Sequence, residues 1–183
     1  MVLRIKITRE QIIGFTSLLL LFLVGIYLYL NFYPVRTVVI DGTPITFRQN
    51  IKEAKNVLVF PNEDEIFNKL FNTAVINITF VFKDAGEREN PYYILQEVEI
   101  INKLTFAYAR LNRKVNFNAM PIETYENLRG TIYNPIIALI HPIYANETFV
   151  MVKDNVIFIS GKNYKDFDLA TIRFLSIALN IKI

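Results

Sequence analysis

Cysteine is absent from the sequence, and histidine occurs once, at His141. The lack of cysteine excludes disulfide bonds, cysteine-ligated zinc sites and a thiol nucleophile. Only six glycines are scattered through the 183 residues, and none of the patterns G-x-G-x-x-G, G-x-x-x-x-G-K-[ST] or G-x-S-x-G occurs. Nucleotide chemistry and serine hydrolysis therefore lack their usual sequence support. We expect neither a cofactor nor a bound metal ion.

Runs of lysine and arginine are also missing beyond the N-terminus. The formal net charge of the chain is +3. Arg4, Lys6 and Arg9, with the single acid Glu10, account for two of these net charges, so the rest of the chain is nearly neutral. A surface for binding phosphate groups has little support in this pattern, and we expect no nucleic-acid partner.

Residues 11–33 form a long apolar stretch without a charged side chain. As a helix at about 1.5 Å per residue, residues 12–30 would span about 30 Å, the thickness of a bilayer's hydrocarbon core. Apolar side chains on all sides argue against a buried helix of a globular protein. The bulky rings Tyr27, Tyr29 and Tyr33 stand where a signal peptidase would need small residues. The stretch therefore predicts a retained transmembrane helix in contact with membrane lipid.

Basic residues predict the orientation of this anchor. Three of them precede the apolar stretch, whereas between Pro34 and Phe47 only Arg36 is basic. The positive-inside rule then places the N-terminus in the cytoplasm. We expect a cytoplasmic basic segment over residues 1–10, a transmembrane anchor over 11–33 and an extracytoplasmic domain over 34–183. The predicted location is the cell membrane, with a single crossing.

The pattern after residue 34 predicts an α/β domain. Apolar strands such as Asn56–Phe60, Val75–Phe82 and Ile136–Ile140 alternate with helical segments, which is typical of a mostly parallel sheet with helices on both faces. We expect this three-layer architecture behind the N-terminal transmembrane helix. A second hairpin signal, Lys153-Asp154-Asn155, predicts an antiparallel hairpin at the sheet edge.

Local signals place the turns and helix ends. Asp41-Gly42 predicts a first hairpin, and Asn62, three residues before Glu65, predicts a capped helix. Asn90-Pro91 opens the longest helix, whose predicted inward stripe contains Ile94, Val98, Ile101, Leu104, Tyr108 and Leu111. Glu123–Leu128 is predicted as a short helix, and Asp166 or Asp168 as the cap of the last one.

Loops at the carboxyl ends of the predicted strands are the place to look for a site, because ligands gather there in open α/β sheets. These loops are Pro61–Asp64, Lys83–Glu89, Met120–Thr124 and His141–Thr148. Their candidate ligand or partner residues are Glu63, Asp64, Asp84, Glu87, Glu123, His141, Asn146 and Glu147.

His141 has two readings. It follows a buried strand and precedes Pro142, so it could act as a general base or ligand. A single histidine at a strand end is more often a hydrogen-bonded structural residue. Likewise, Asp84, Glu87 and Glu89 could bind a hard cation, but they lack the spacing of a calcium loop and also fit a solvated loop.

Two segments match the N-glycosylation acceptor pattern, Asn77-Ile78-Thr79 and Asn146-Glu147-Thr148. Asn77 lies within a predicted strand, which argues against access. Asn146 lies in a predicted loop and is the candidate glycosylation site.

The C-terminal third resembles a family of proteins. The segments are His141-Pro142-x-x-Ala145-Asn146-Glu147-Thr148, Asn155–Lys162 and Asp166–Thr171. With the preceding order of anchor, P-x-E helix and long N-P-Y helix, they are similar to uncharacterised archaeal single-pass membrane-anchored α/β proteins. The tail also resembles, more loosely, α/β segments of S-layer-type proteins. The resemblance implies an archaeal envelope protein and gives no catalytic residue.

Three functions remain open at this point. The leading hypothesis is a membrane-anchored, outward-facing, non-catalytic domain of the cell envelope that binds a protein or surface polymer. The first alternative is an accessory subunit of a membrane protein complex, with residues 11–33 also making helix contacts. The second is an envelope enzyme that uses the strand-end loops, with His141 or nearby carboxylates.

Overall fold

The computed structural model describes residues 9–32 and 35–183, and within the first helix it describes the side chains of residues 15–28. The chain divides into two compact units between Pro34 and Val35. The first contains the helix α1 (Arg9–Phe32), whose large apolar side chains from Phe15 to Leu28 are exposed. No helix in the described ranges is both long and apolar enough to cross a membrane. Most of the predicted basic segment, residues 1–8, and the last predicted anchor residue, 33, lie outside the described residues.

The second unit is an α/β domain, as predicted, with a mixed six-stranded sheet. Its order is β3-β7-β8-β6-β4-β5, and β1 and β2 form a separate antiparallel pair. The strands are β1 (Thr37–Ile40), β2 (Thr43–Thr46), β3 (Leu58–Phe60), β4 (Asn77–Lys83), β5 (Asn116–Ile122), β6 (Ile136–Ile140), β7 (Phe149–Lys153) and β8 (Val156–Ser160). The helices are α2 (Ile51–Ala54), α3 (Glu63–Phe71), α4 (Asn90–Arg110) and α5 (Tyr164–Ala178).

The hairpin β7–β8 lies inside the sheet, so its predicted place at the edge is wrong. β3 pairs in parallel with the outer side of β7, and β6 pairs in parallel with β8. Every residue of β8 is buried. A strand with apolar residues on both faces, Val156 to Ile159, requires cover on both faces and neighbours on both sides, which only a central position supplies.

Helices cover one face of the sheet, so the predicted layers on both faces are also wrong. The buried residues of α2, α3, α4 and α5 all belong to one core cluster, together with Ile78, Ile137 and Ile157 of the sheet. The other face carries a small cluster that includes Val81 and Ala138. There the cover is the irregular segment 123–135, predicted to begin as a helix, whose Tyr125 and Leu128 pack on this cluster.

Short-range signals predicted the turns and one helix cap correctly. Asp41 and Gly42 adopt positive φ (48° and 79°) between β1 and β2, and Asp154 and Asn155 do so (53° and 58°) between β7 and β8. Two successive positive φ values match the right-handed twist of a two-residue hairpin. Asn62 Oδ1 accepts from the Glu65 N–H at 2.8 Å and caps α3.

The cap of α5 differs from the prediction. Asn163 Oδ1 accepts from the Asp166 N–H at 2.9 Å, so Asn163 is the cap, and Asp166 lies in the first turn. Asp168 points into the protein and is buried. Asn and Asp are equally good caps, so the composition near residue 165 did not determine which residue would take this position.

The inward side of α4 is also shifted from the predicted stripe. Its buried residues are Tyr93, Gln96, Ile100, Leu104, Ala107 and Tyr108. Ile94, Val98 and Leu111, predicted to point inward, are exposed. Apolar residues occupy more than one side of this helix, so its pattern alone did not show which side the sheet would cover.

A buried polar cluster joins the segment after β2 to α4 and α5. Gln96 Nε2 donates to Asp168 Oδ1 at 2.5 Å, and Gln49 Nε2 donates to Asp168 Oδ2 at 3.4 Å. Arg48 lies between two carboxylates, with Nε 3.2 Å from Glu99 Oε2 and Nη1 3.8 Å from Asp168 Oδ1. Lys103 adds a second cation, 3.1 Å from Glu99 Oε1. The charges of this cluster therefore balance.

Candidate functional site

The strands β4, β5, β6 and β8 are parallel to one another, so their carboxyl ends lie at the same end of the sheet. Helices α4 and α5 begin at this end of the sheet, directly after β4 and β8. Loops and helix N-termini that converge in this way are the usual place for a ligand in an α/β sheet. The side chains that meet here, Glu89, Tyr93, Tyr125, His141 and Tyr164, are called the strand-end cluster below.

His141 is the centre of the strand-end cluster and is fully buried, with 0% exposure. Its ring lies between those of Tyr93 and Tyr164, with centroids 5.1 and 5.6 Å away, and the ring of Phe167 lies at 6.4 Å. The Ile143 N–H donates to His141 Nδ1 at 3.3 Å. Since Nδ1 accepts a hydrogen bond, the proton of the neutral ring belongs on Nε2.

The charge of His141 is set by two opposing effects. Burial lowers the pKa of the imidazole, because a cation in this apolar surrounding loses its hydration. The carboxylate of Glu89, with Oε2 3.5 Å from His141 Nε2, acts in the opposite direction but is the smaller effect. The pKa therefore lies below its usual value, and His141 is neutral near pH 7.

Hydroxyl groups connect His141 to two strands. The His141 N–H donates to Tyr93 Oη at 3.3 Å, and Tyr93 Oη lies 3.4 Å from Tyr125 Oη. Tyr125 in turn accepts from the Lys83 N–H at 3.0 Å and donates to the Leu139 carbonyl at 2.6 Å. Burial raises the pKa of both phenols, so they remain protonated. This chain of hydrogen bonds fixes the ends of β4 and β6 to α4 and to segment 123–135.

Glu89 and Tyr164 form the outer part of the strand-end cluster. The Tyr164 hydroxyl donates to Glu89 Oε2, and this bond raises the pKa of the phenol. The ring of Tyr92 packs against that of Tyr164, with centroids 4.3 Å apart. Glu89 precedes α4 without making a side-chain cap to it, and its side chain is about one third exposed.

Asp84 organises the turn that follows β4. Its Oδ1 accepts from the Gly86 N–H at 2.9 Å and from Asn90 Nδ2 at 2.8 Å, and these bonds lower the pKa of the carboxyl group. The Tyr144 hydroxyl donates to the Asp84 carbonyl, and Lys83 Nζ lies 4.7 Å from the centre of the Tyr144 ring. Asp84 therefore acts as a turn residue that connects two loops.

The structure separates the predicted site residues into two groups. Six of them lie in loops at the end of the sheet that carries the strand-end cluster: Asp84, Glu87, Glu123, His141, Asn146 and Glu147. Glu63 and Asp64 lie at the opposite end of the sheet. The reason is that β3 is parallel to β7 and therefore antiparallel to β8. There they line a groove of about 430 Å³ between α3 and α5, where Glu63 pairs with Arg173. The eight predicted residues therefore do not form one site.

Three tyrosines of the strand-end cluster were missed in the sequence: Tyr93, Tyr125 and Tyr164. Tyr93 stands two residues after Pro91, in the first turn of α4, and this is the only local signal for it. Tyr125 was assigned to a helix that does not form. Within the described ranges, no group of three or more His, Asp or Glu side chains is placed to hold a metal ion.

A second surface of interest is the uncovered part of the helix-free face. Leu58 and Phe60 of β3 are opposite Phe149 and Met151 of β7 in the strand register. Val59, between them, packs in the core, so Leu58 and Phe60 point to the other face. Their exposed fractions are 57% and 49%. We call Leu58, Phe60, Phe149 and Met151 the open-face patch.

Comparison with known proteins gave no relative. No protein-family model matches the chain, and no curated protein or solved structure matches it significantly. The resemblance to archaeal membrane-anchored proteins therefore stays a prediction.

Proposed function

We propose that the chain is a single-pass, membrane-anchored protein of the archaeal cell envelope whose outward domain binds another protein without catalysis. Residues 11–33 are the anchor, and residues 34–183 form the extracytoplasmic domain. The open-face patch is the observation that carries this proposal. It is the surface on which the partner protein binds.

The sequence supports the anchor and its orientation. Residues 11–33 contain no charged side chain, and Arg4, Lys6 and Arg9 precede them. A charge near the centre of a bilayer costs about 2.5–3.5 kcal/mol on insertion scales, so a stretch free of charges is what an anchor requires.

The strand-end cluster supports a non-catalytic domain. A general base must reach a substrate proton, but His141 is fully buried and its Nδ1 already accepts a backbone hydrogen bond. The buried phenols of Tyr93 and Tyr125 stay protonated and hold the ends of β4 and β6. The hydrogen bonds of this cluster join loops and strands, which is a structural role.

The chemistry of the open-face patch favours a protein partner. Four large apolar side chains adjoin one another across β3 and β7, without a charged residue between them. Contiguous apolar surface of this kind is typical of the centre of a protein interface, whereas a polysaccharide needs more hydrogen-bonding groups. Lys153, on the same side of β7 as Met151, is exposed at its margin. The partner is therefore expected to present apolar side chains bordered by acidic ones.

The test is a photo-crosslinking residue placed at position 60 of the full chain in its own cell membranes. We expect a single crosslinked protein, with a yield that falls at least about fivefold when Leu58→Ser is added, a loss near 1 kcal/mol. The matched control is Ile76→Ser, which removes an equally exposed apolar side chain just before β4, outside the open-face patch and outside α4. A crosslink to saccharide, or equal loss in both variants, would refute the protein partner.

The orientation has a separate test. Protease added to intact cells should digest the domain of residues 34–183 and leave the N-terminal segment. If the domain is protected in intact cells and digested only after lysis, the outward placement is wrong.

A second candidate, an accessory subunit of a membrane complex, is favoured by one further observation. Ile94, Leu95 and Val98 form an exposed apolar surface on α4, in addition to the open-face patch. Two apolar surfaces on one domain suit a subunit with two neighbours. Purification in mild detergent that yields only the monomer would exclude this candidate.

A further inference from the structure

The two N-glycosylation acceptor sequences of this chain have opposite structural settings. Asn146 is exposed in the irregular segment between β6 and β7, and its neighbour Glu147 is exposed too. Asn77 is the first residue of β4, in the interior of the sheet between β6 and β5. We propose that Asn146 carries an N-linked glycan and that Asn77 does not.

Hydrogen bonds within the Asn77 acceptor sequence oppose the transfer of a sugar. Its Oδ1 accepts from Asn116 Nδ2 at 3.1 Å, so the carboxamide that would carry the glycan already joins β4 to β5. The hydroxyl of Thr79, which the transferase must recognise, is buried and donates to Asn134 Oδ1 at 3.0 Å. Transfer to Asn77 would require the hydrogen bonds to Asn116 and Asn134 to break and the buried Thr79 hydroxyl, within β4, to become accessible.

The Asn146 sequence needs only a local opening. The Thr148 hydroxyl donates to Asp166 Oδ2 and accepts from the Lys162 N–H, both at 3.3 Å. These distances are at the long end for hydrogen bonds, and Lys162 is exposed. Movement of residues 146–148 away from the start of α5, with loss of the hydrogen bond that Ser160 Oγ donates to the Glu147 carbonyl at 2.7 Å, would expose the hydroxyl while the strands stay paired.

The modification is a glycosyl transfer from a polyprenyl-phosphate-linked oligosaccharide. The Asn146 amide nitrogen forms a bond to the anomeric carbon of the first sugar, and the bond from that carbon to the phosphate oxygen breaks. The polyprenyl phosphate leaves with the electron pair, and the amide proton passes to a base of the transferase. The inference rests on the outward orientation proposed above, because such transfer takes place on the non-cytoplasmic side of the membrane.

The experiment uses the full chain purified from the membranes of its own cells, with peptide mass spectrometry and gel mobility as readouts. We expect the peptide containing Asn146 to carry a sugar mass and the peptide containing Asn77 to be unmodified. Asn146→Gln and Thr148→Ala should each abolish the mobility shift. Thr148→Ser keeps the acceptor pattern and Asn77→Gln does not touch it, so both should retain the shift.

A further variant separates the two proposals. Arg129→Thr creates a third acceptor sequence that begins at Asn127, an exposed residue of segment 123–135. If Asn127 is modified in this variant while Asn146 is bare, the inference about Asn146 fails and the outward orientation stands. If both are bare and the domain also resists protease on intact cells, both proposals fail. Modification of Asn77 in the folded protein would contradict the structural argument.

Discussion

At the scale of single residues, the histidine shows what the sequence could and could not reveal. A buried strand followed by His141-Pro142 predicted its place at a strand end correctly. Its neighbours Tyr93 and Tyr164 could not be predicted, because they come from α4 and α5, and only the strand order brings these helices together. The burial that those rings produce is what keeps the imidazole neutral.

This burial predicts a pH dependence of stability. The folded-state pKa of His141 is lowered from 6.5, so the unfolded chain takes up the proton first as the pH falls. The contribution is fully present above pH 6.5 and is lost as the pH falls through the folded-state value. We expect the denaturant midpoint of the full chain in detergent to fall more between about pH 7.5 and about pH 5.5 than that of His141→Gln. Equal slopes in the two proteins would contradict the assignment.

The buried carboxylate of Asp168 predicts a second effect. Asp168→Ala removes the acceptor of Gln96 and one of the two carboxylates beside Arg48. Leaving these donors unpaired should lower the free energy of unfolding by about 1–3 kcal/mol. Asp64→Ala, at an exposed position in the first turn of α3, is the control and should cost less than about 1 kcal/mol. Denaturant unfolding of both variants measures the difference, and equal losses would refute it.

At the scale of helices and strands, the hairpin turns were predictable from the sequence, and the pairing of distant strands was not. Asp41-Gly42 and Asp154-Asn155 gave both hairpins, because positive φ at two positions is a property of the turn residues themselves. The pairing of Leu58 with Phe149 joins residues 91 positions apart and has no local signal. Because β3 pairs with β7, the hairpin β7–β8 lies in the interior of the sheet and not at its predicted edge. This pairing also placed Glu63 and Asp64 far from the other candidate residues.

The junction between β8 and α5 supplies a prediction at this scale. A Cβ atom at Gly161 would lie 2.2 Å from the Phe167 backbone nitrogen and 2.3 Å from its Cα. Gly161→Ala must therefore displace the first turn of α5, and we expect a loss of about 1–3 kcal/mol or more. Gly25→Ala in α1 is the control, because nothing lies within 4 Å of its added Cβ. Thermal unfolding of the two variants should differ clearly, and equal midpoints would exclude the close approach.

At the scale of the whole molecule, the domain of residues 35–183 contains its own core. The buried residues of its main cluster run from Ile45 to Leu179. Val35 already belongs to the domain, since its N–H donates to Asn50 Oδ1 at 3.1 Å and its carbonyl accepts from the Ile51 N–H at 2.8 Å. The N-terminal boundary of the domain was therefore predictable from the end of the apolar stretch. The absence of a helix on the second face was not, because Glu123–Leu128 was predicted as a helix and instead begins the irregular segment 123–135.

This organisation predicts that residues 35–183 fold without the N-terminal segment. The shortened chain should unfold in one cooperative transition, with the midpoint of the full chain in the same detergent. Circular dichroism in the near and far ultraviolet during thermal unfolding measures this. A broad transition, or loss of the near-ultraviolet signal alone, would mean that the domain depends on the first 34 residues.

The pairing of β3 with β7 has a consequence for synthesis, which proceeds from the N-terminus. When Leu58 is added to the chain, its partner Phe149 is still 91 residues away, whereas β7 and β8 are separated only by a short turn. β3 therefore cannot pair in the sheet before β7 is made, and half of the open-face patch is missing until it does. An unfinished chain cannot present the complete apolar surface, so a partner that needs all four side chains recognises only the finished product.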